Sequence, residues 1–113
     1  MRVLFTSTSG WGHIHPMVPL ARAFIDRGDD VLWATGDEVC GRLEQTGIAT
    51  AVAGLDDGVA MSRFHERYPE VAEVPPPERS DFMFPRLFGA APPEQMLTHL
   101  LPVALRFSPH LME

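Results

Sequence analysis

The chain has 113 residues, which is enough for one domain of ordinary size and too few for two. Apolar residues make up 45% of it and charged residues 21%, so the composition permits a packed core and argues against disorder. The formal net charge of −6 argues against a nucleic-acid partner. It does not exclude a phosphorylated small molecule, because the backbone amides of a helix N-terminus bind phosphate without net positive charge.

Cysteine content and hydropathy bear on where the protein works. Cys40 is the one cysteine of the sequence, so no disulfide can form within the chain, and a reducing compartment is favoured. The residues after Met1 lack the pattern of a signal peptide. No apolar stretch approaches the roughly 20 residues that span a bilayer. We therefore expect a cytoplasmic protein without a membrane span.

Residues 1–54 alternate between short apolar runs and segments with helical periodicity. The apolar runs at residues 3–6, 30–35 and 48–53 predict three strands. Between the first two runs, apolar residues recur at three- and four-residue spacing, which predicts a helix that ends at Gly28. The apolar residues on this helix face are Met17, Leu20, Ala21, Phe24 and Ile25.

A second helix is predicted between the second and third strands. Thr35 or Asp37 suits its N-cap, and Gly47 suits its end. The residues expected to face the core are Val39, Cys40 and Leu43. The order strand, helix, strand, helix, strand with short connections predicts an α/β fold with a Rossmann-like parallel sheet and right-handed crossovers.

Residues 55–113 read as a helical region rich in proline, with nine of the eleven prolines of the chain. Helices are predicted over Val59–Tyr68, Glu78–Phe88 and Pro93–Phe107. The three consecutive prolines Pro75–Pro77 predict a stiff extended segment between the first two of them. The α/β pattern calls for another strand near residues 111–113, where the sequence ends.

The turn after the first strand carries the most information about function. In open α/β sheets ligands bind at the carboxyl ends of the strands, and Gly10 and Gly12 let the backbone turn tightly and approach a ligand closely. The P-loop pattern fails, because no Gly-Lys-Ser/Thr follows either glycine. The dinucleotide fingerprint fails as well, because His15 stands at its third glycine. An oxidoreductase that uses a dinucleotide is therefore disfavoured.

His13 is the candidate catalytic residue on this turn. An imidazole is largely neutral near pH 7 and can accept a proton from a hydroxyl. The structural alternative is a ring that bonds only to the helix N-terminus or to water. A metal pair of His13 and His15 is disfavoured, because side chains two residues apart at a helix start do not share a face. We therefore expect no metal site.

Several segments of the first half together resemble a known family. Residues 1–50 are similar to the N-terminus of the family 1 glycosyltransferases, especially the bacterial enzymes that glycosylate antibiotics and other lipophilic natural products. A later segment, from Glu78 through Phe84-Pro85 and Phe88-Gly89 to Leu100-Leu101-Pro102, is similar to that group but less specific. The segments that carry the main resemblance are Val3-Leu4-Phe5, Gly12-His13-x-x-Pro16, Met17–Phe24, Arg27-Gly28-Asp29-Asp30-Val31 and Trp33-Ala34-Thr35-Gly36.

The resemblance implies the N-terminal, acceptor-binding domain of a GT-B fold. It implies that His13 removes the proton of the acceptor hydroxyl during an inverting transfer from a nucleotide diphosphate sugar, with no metal or other cofactor. The turn residues Ser9, Gly10 and Gly12 would lie near the donor. In the family an acidic residue later in the domain orients the histidine, and a second domain binds the nucleotide. Both are expected beyond Glu113, so residues 1–113 form a partial N-terminal domain without its C-terminal donor-binding domain.

Aromatic residues are the candidates for an acceptor pocket. They suit an adaptable apolar site for a lipophilic acceptor and equally suit an ordinary core. Trp11 lies beside His13, where it could cover an acceptor or simply pack on the first helix. The candidate acceptor-binding residues are Trp11, Phe64, Phe82, Phe84 and Phe88.

Two other interpretations remain beside a glycosyltransferase. One is a catalytically inactive fragment that binds a small molecule or a partner. The other, a nucleotide-dependent oxidoreductase domain, is disfavoured by the failed fingerprint. A glycosidase is not supported, because it needs two carboxyl groups held about 5–10 Å apart across a sugar. Nothing in the spacing arranges such a pair, and Asp56 and Asp57 are interpreted as part of a solvated face. His110 stands where the resembled group commonly has an aspartate.

Overall fold

A computed structural model describes residues 1–89 and 91–113 of the chain. Its centre is a parallel sheet in the order β3-β2-β1-β4. Val3 lies opposite Val31, and Trp33 lies opposite Thr50. The predicted α/β fold with a parallel Rossmann-like sheet is confirmed. The strands are β1 Arg2–Thr6, β2 Asp30–Thr35, β3 Ala49–Val52 and β4 Leu111–Met112.

Helices connect the strands and cover both faces of the sheet. Short 3-10 turns lie at His15–Met17, Pro69–Glu73 and Pro76–Glu78. The helices are α1 Trp11–Ile14, α2 Val18–Asp26, α3 Asp37–Gln45, α4 Asp57–Arg67, α5 Arg79–Gly89 and α6 Ala91–Phe107. Because each parallel pair of strands needs a long crossover, these helices are what allows β1, β2 and β3 to lie side by side.

The first helical segment begins earlier than the sequence pattern predicts and is divided in two. It starts at Trp11, passes through the 3-10 turn at His15–Met17, and continues as α2. Pro16 and Pro19 are the reason, since proline donates no backbone hydrogen bond and its ring crowds the carbonyl four residues earlier. The division keeps His13 on the short α1, separate from the helix that packs along the sheet.

The prediction of a side-chain cap for α3 is wrong in both of its alternatives. The N-cap residue is Gly36, not Thr35 or Asp37, and it has no side chain to offer. The carboxylate of Asp56, from the loop after β3, accepts a hydrogen bond of 2.9 Å from the amide of Glu38. The cap is therefore supplied from a distant part of the chain, which no local pattern reveals.

The proline segment is also less extended than predicted. Pro75 is extended, with φ −54° and ψ 139°, but Pro76–Glu78 forms a 3-10 turn. The amide of Glu78 donates to the carbonyl of Pro75 at 2.9 Å and closes that turn. The φ that proline imposes is compatible with both conformations, so the hydrogen bond decides between them.

Two hydrophobic cores lie on opposite faces of the sheet, because alternate residues of a strand point to opposite sides. On one face, Phe5 stacks on Trp33 with ring centroids 5.2 Å apart, and α1, α2 and α3 pack over them. On the other face, Val103 of α6 packs against Leu4 and Ala34. Cys40 is buried in α3, and this burial raises the pKa of its thiol.

The short strand β4 joins the outer edge of β1 at the position where the sequence pattern predicts a further strand. The amide of Glu113 donates to the carbonyl of Leu4, and the amide of His110 donates to the carbonyl of Arg2. His110 also uses its ring, whose Nδ1 accepts a 2.9 Å hydrogen bond from the backbone amide of Arg2. The His110 ring therefore provides the hydrogen-bond acceptor for a backbone amide at the edge of β1.

Candidate functional site

A cavity of about 220 Å³ opens at the carboxyl end of the sheet. Its walls come from the turn after β1, the segment that follows β3, and the facing parts of α4, α5 and α6. The residues that line it are Ser7, Thr8, Gly10, His13, Ala53, Gly54, Leu55, Asp57, Ala60, Met61, Leu87, Phe88 and Met96. Segments that are distant in sequence meet here because all follow strands that end at the same edge.

His13 lies at the mouth of this cavity with an exposed side chain. The amide of His13 donates to the carbonyl of Gly10 at 3.0 Å, which closes the turn that presents the ring. A Cβ added to Gly10 would lie 3.2 Å from Cδ2 of the His13 ring. Glycine at position 10 therefore lets the imidazole fold closely over the backbone, while Gly12 has no neighbour within 4 Å of an added Cβ.

Asp57 is a site residue that sequence reasoning missed. One of its carboxylate oxygens lies 3.7 Å from the position of an added Cβ on Gly10. The His13 ring approaches the same position. Asp57 is the first residue of α4 and lines the cavity. The sequence offered one signal, an Asp-Asp pair just before a helical pattern, because aspartate is favoured at helix N-termini. Asp56 and Asp57 thus do more than cover a solvated face.

Side-chain hydrogen bonds fasten the turn to its neighbouring strand. The indole Nε1 of Trp33 donates to Oγ of Ser7 at 3.0 Å, and the hydroxyl of Thr35 donates to the carbonyl of Thr8 at 3.2 Å. The hydroxyl of Ser9 donates to the carbonyl of Leu55 at 3.3 Å. Ser9 is only 2% exposed and does not line the cavity. Its position ties the turn of β1 to the loop that follows β3.

Another wall of the cavity depends on Gly54. Its φ of +84° belongs to the left-handed region that favours glycine. Its amide donates to Nδ1 of His99 at 3.2 Å, and an added Cβ would lie 3.1 Å from the sulfur of Met96. The loop after β3 is thereby held against α6, which closes the cavity on that side.

The predicted acceptor-binding aromatics are distributed over several environments. Phe88 lines the cavity, whereas Phe84 is 67% exposed and packs on Phe88 with ring centroids 4.9 Å apart. Phe64 is buried and lines a second, smaller cavity. Phe82 lies beneath the guanidinium of Arg86, 3.9 Å from its ring centroid. The structure therefore places Phe88 in the cavity that His13 also lines and leaves the other three phenylalanines outside it.

Trp11 and His15 lie together and are not among the residues that line the cavity. Their ring centroids are 5.0 Å apart, and the guanidinium of Arg42 lies 5.1 Å above the Trp11 ring. Trp11 is half-buried and packs against the core covered by α1 to α3. His13 and His15 thus point into different surroundings, as expected for residues two apart at a helix start.

Among residues 1–89 and 91–113, no group of three or more histidine, cysteine, aspartate and glutamate side chains is arranged to hold a metal ion. Within the same ranges, no helix has the length and apolar character needed to cross a bilayer.

Comparison with known proteins identifies the fold. No family model matches the chain. Over 46 residues the chain is 46% identical to 4'-demethylrebeccamycin synthase of Lentzea aerocolonigenes. The matched segment covers 41% of this chain and 11% of that protein. CalG4, described as the calicheamicin glycosyltransferase, superposes on 98% of this chain with a TM-score of 0.70 and 18% identity. The fold is that of GT-B glycosyltransferases.

Two further glycosyltransferase structures agree with this identification. VinC, solved with dTDP, matches 99% of the chain with a TM-score of 0.66 and 20% identity. SsfS6 of Streptomyces sp. SF2575 also matches 99% of it, with a TM-score of 0.67 and 21% identity. The resemblance to GT-B glycosyltransferases found in the sequence is therefore confirmed. The chain spans 25% of CalG4, 28% of VinC and 32% of SsfS6.

Proposed function

We propose that this chain is the acceptor-binding part of a glycosyltransferase that moves a sugar from a nucleotide diphosphate donor to a hydroxyl of a lipophilic small molecule. The observation that carries the proposal is His13, a potential base at the mouth of a largely apolar cavity, in a glycosyltransferase fold. VinC was solved with dTDP, and SsfS6 and the rhamnosyltransferase SpnG were solved with thymidine diphosphate, which supports a nucleotide-linked donor. No metal or other cofactor enters the proposed reaction.

In the proposed reaction His13 acts as the general base. An acceptor hydroxyl is a poor nucleophile until its proton leaves as the new bond forms. A ring nitrogen of His13 takes that proton while the hydroxyl oxygen attacks the anomeric carbon. The bond from that carbon to the donor phosphate breaks, and the nucleoside diphosphate leaves with the electron pair. Attack opposite the leaving group inverts the anomeric centre. A positioned base contributes about 10²–10⁴-fold to such a step.

Asp57 would assist His13 from the same cavity. Its carboxylate and the imidazole both approach Gly10. A carboxylate beside a general base serves to orient its ring. In this proposal Asp57 is the acidic partner of His13. No acidic residue from a later part of the protein is needed for that role.

The size and lining of the cavity indicate how much of an acceptor it holds. Small-molecule pockets commonly measure about 300–1,000 Å³. The cavity of about 220 Å³ is smaller, so it accommodates the part of the acceptor around the reacting hydroxyl. Its large apolar lining residues include Met61, Leu87, Phe88 and Met96, and methionine adapts readily to ligands of different shape.

The test compares His13→Ala with His15→Ala in a chimera that joins residues 1–113 to the remaining part of CalG4. Donor binding to the chimera is measured first, because it shows that the joined protein has folded. His13→Ala should lower turnover at saturating donor and acceptor by about 10²–10⁴-fold and leave donor affinity nearly unchanged. His15→Ala is the matched control and should cost far less, since His15 packs on Trp11. Normal turnover of His13→Ala would refute the proposed base.

The second candidate function is a binding module without catalysis. It is favoured by the apolar cavity, whose lining suits a small molecule whether or not a reaction follows. Under this hypothesis the chain binds an apolar hydroxyl compound, but His13→Ala changes neither binding nor any turnover of the chimera.

A further inference from the structure

The ring of His99 on α6 contacts the loop after β3 on one side and a polar side chain on the other. Its Nδ1 accepts a hydrogen bond of 3.2 Å from the backbone amide of Gly54 in that loop. Its Nε2 lies 2.9 Å from Nε2 of the Gln95 carboxamide. Oε1 of the same carboxamide lies 3.3 Å from Nη1 of Arg63 on α4. His99 thus stands between a wall of the candidate site and a pair of side chains from α4 and α6.

These three contacts cannot all be hydrogen bonds at the same time. The Gly54 amide and the Arg63 guanidinium can only donate, so they need Nδ1 of His99 and Oε1 of Gln95 as acceptors. With its oxygen turned to Arg63, Gln95 presents an N–H group to His99 and needs a second ring nitrogen without hydrogen. A neutral imidazole keeps one ring hydrogen, so one of the three contacts must be given up.

Burial decides which contact is given up. Arg63 is exposed and can donate to water, whereas Gly54 is half-buried and its amide would be left without an acceptor. An unpaired backbone amide shielded from water is the costlier loss. The Gln95 carboxamide therefore turns over, so that its oxygen accepts from Nε2–H of His99 while Nδ1 accepts from Gly54. In this state His99 is a neutral ring with its hydrogen on Nε2.

We propose that neutral His99 is a positioning residue of the candidate site and that protonation of its ring releases the loop after β3. The imidazolium form carries hydrogen on both nitrogens, so Nδ1–H faces the Gly54 amide, donor against donor, and the hydrogen bond is lost. Histidine is the side chain that changes charge between about pH 5 and about pH 8. The loop is therefore held to α6 at the upper end of this range and released at the lower end.

The charged side chains of the neighbouring helices cannot replace the lost contact. Arg63 of α4 faces the ring through Gln95 and, as a cation, accepts no hydrogen from it. Arg86 of α5 is stacked on an aromatic ring of its own helix. On α6 itself, Glu94 is exposed near the start of the helix. None of these groups offers the imidazolium an acceptor that would keep it beside the loop.

The acidic side chains of the loop are directed elsewhere. The carboxylate of Asp56 accepts a hydrogen bond from the amide of Glu38, and that of Asp57 approaches Gly10. Within residues 1–89 and 91–113, no carboxylate is hydrogen-bonded to the His99 ring. The contact of the loop with His99 therefore depends on a bare Nδ1 and not on an ion pair.

The loop that His99 holds is part of the candidate site. Gly54 and Leu55 line the main cavity, and Asp57 begins α4 just after them. An added Cβ on Gly54 would lie 3.1 Å from the sulfur of Met96, so the loop approaches α6 closely. Release of Gly54 loosens this wall and the segment that brings Asp57 to the cavity. That this alters catalysis rests on the proposed function, whereas the contact itself does not.

The first measurement follows the isotope-labelled chain by NMR from about pH 8 to about pH 5. Long-range proton–nitrogen spectra of His99 should show hydrogen on Nε2 and a bare Nδ1 at the upper pH. Once the ring is protonated, the Gly54 amide should lose about tenfold of its protection against hydrogen exchange, relative to an unstructured peptide at the same pH. The amide signal of Leu55 should shift with the same midpoint. Hydrogen on Nδ1 at the upper pH, or unchanged protection of Gly54 after protonation, would overturn the proposal.

Two variants separate the acceptor at Nδ1 from effects of pH elsewhere in the chain. His99→Asn places a carbonyl oxygen that does not titrate near the position of Nδ1, and His99→Gln places its amide group near Nε2 instead. Gly54 should stay protected at both pH values in His99→Asn and be unprotected at both in His99→Gln. Loss of protection in acid in His99→Asn would assign the effect to another group. Full protection in His99→Gln would show that the ring is not the acceptor.

His110 supplies a control within the same chain. Its Nδ1 accepts a hydrogen bond of 2.9 Å from the backbone amide of Arg2, and neither residue lines the cavity. In acid, the amide signals of Gly54 and Arg2 should both change in the unaltered chain. In His99→Asn the signal of Arg2 alone should change, which shows that acid still breaks a bond of this kind. A change at Gly54 in that variant would contradict the role of His99.

The link to catalysis is measured separately, in the chimera with the remaining part of CalG4. At about pH 8, His99→Asn should keep most of the turnover, while His99→Gln should lower kcat/KM by about tenfold, because the loop no longer holds its place in the site. Equal kcat/KM in the two variants would refute the positioning role even if the Gly54 signals behave as expected. A failure of His13 as the base would leave those signals unchanged, so the two proposals fail independently.

Discussion

Gly36 connects β2 to α3 at a point where three segments of the chain meet. The Ser9 hydroxyl from the first turn and the Asp56 carboxylate from the loop after β3 both occupy the space where a side chain on residue 36 would stand. An added Cβ would lie 2.6 Å from Oδ1 of Asp56 and closer still to Oγ of Ser9. The same atoms cap α3 and fasten the turn that carries His13, so this single position couples fold stability to site geometry.

We predict that Gly36→Ala destabilises the chain by about 1–3 kcal/mol, the usual cost of forcing extra volume into a packed position. Gly41→Ala is the matched control in α3, because nothing lies within 4 Å of its added Cβ. It should stabilise the chain by about 0.5–1 kcal/mol, since alanine has the better helix propensity. Urea unfolding of both variants measures the difference. Equal free energies of unfolding would show that the three segments do not meet as described.

At the scale of elements, α6 has one buried face and one apolar face in contact with solvent. Val103 is 8% exposed and packs on Leu4 of β1, whereas Leu97, Leu101 and Leu105 are 64%, 54% and 70% exposed. The three leucines recur every four residues and so lie along one side of the helix. Sequence periodicity alone indicates an apolar helix, and only the sheet determines which of its apolar residues are covered.

This division gives a test within one helix. Val103→Ala should lower the free energy of unfolding by about 1–2 kcal/mol, because it removes buried methyl groups from the core under α6. Leu101→Ala removes more carbon from the exposed side and should change stability by less than about 0.5 kcal/mol. Thermal and urea unfolding of the two variants are compared directly. A larger loss in Leu101→Ala would mean that the covered face of α6 has been assigned to the wrong side.

At the scale of the whole molecule, the described chain measures 52 × 25 × 21 Å, with a radius of gyration of 15.9 Å. A compact domain of this length has a radius of gyration of about 13 Å, so the chain is extended. The β-sheet with α1 to α3 forms a compact layered body, and α4, α5 and α6 build the walls of the cavity. The polar donors that it offers to a ligand come mainly from the turn after β1.

We predict that the 113-residue chain by itself binds nucleoside diphosphates poorly and transfers no sugar. Catalysis requires donor and acceptor to be held together, and the chain spans 25–32% of the glycosyltransferases that it matches in structure. Calorimetric titration with thymidine and uridine diphosphates checks this. Saturable binding of a nucleotide at micromolar concentration would show that a donor site exists within these residues.

The sequence by itself determined the order and direction of the secondary structure. The apolar runs of β1, β2 and β3 and the helical periods between them are local signals, and short connections between buried strands leave a parallel sheet as the favoured arrangement. The position of His13 at the carboxyl ends of the strands follows from the same reasoning, because His13 lies on the turn directly after the first strand. The fold and this one candidate residue could therefore be predicted without coordinates.

Tertiary structure alone decided what surrounds His13. Asp56 caps α3 from 18 residues away along the chain, Asp57 shares the cavity with His13, and Arg86 of α5 lies over the Tyr68 ring that follows α4. Such contacts depend on how the packed helices and strands are oriented relative to one another. The residues that meet are separated by no regular number of positions in the sequence, so no local pattern reveals them. The same reason separates Phe88, which reaches the cavity, from Phe84, which remains exposed on the same helix. Periodicity decides that a helix forms, and packing decides which of its side chains meet a ligand.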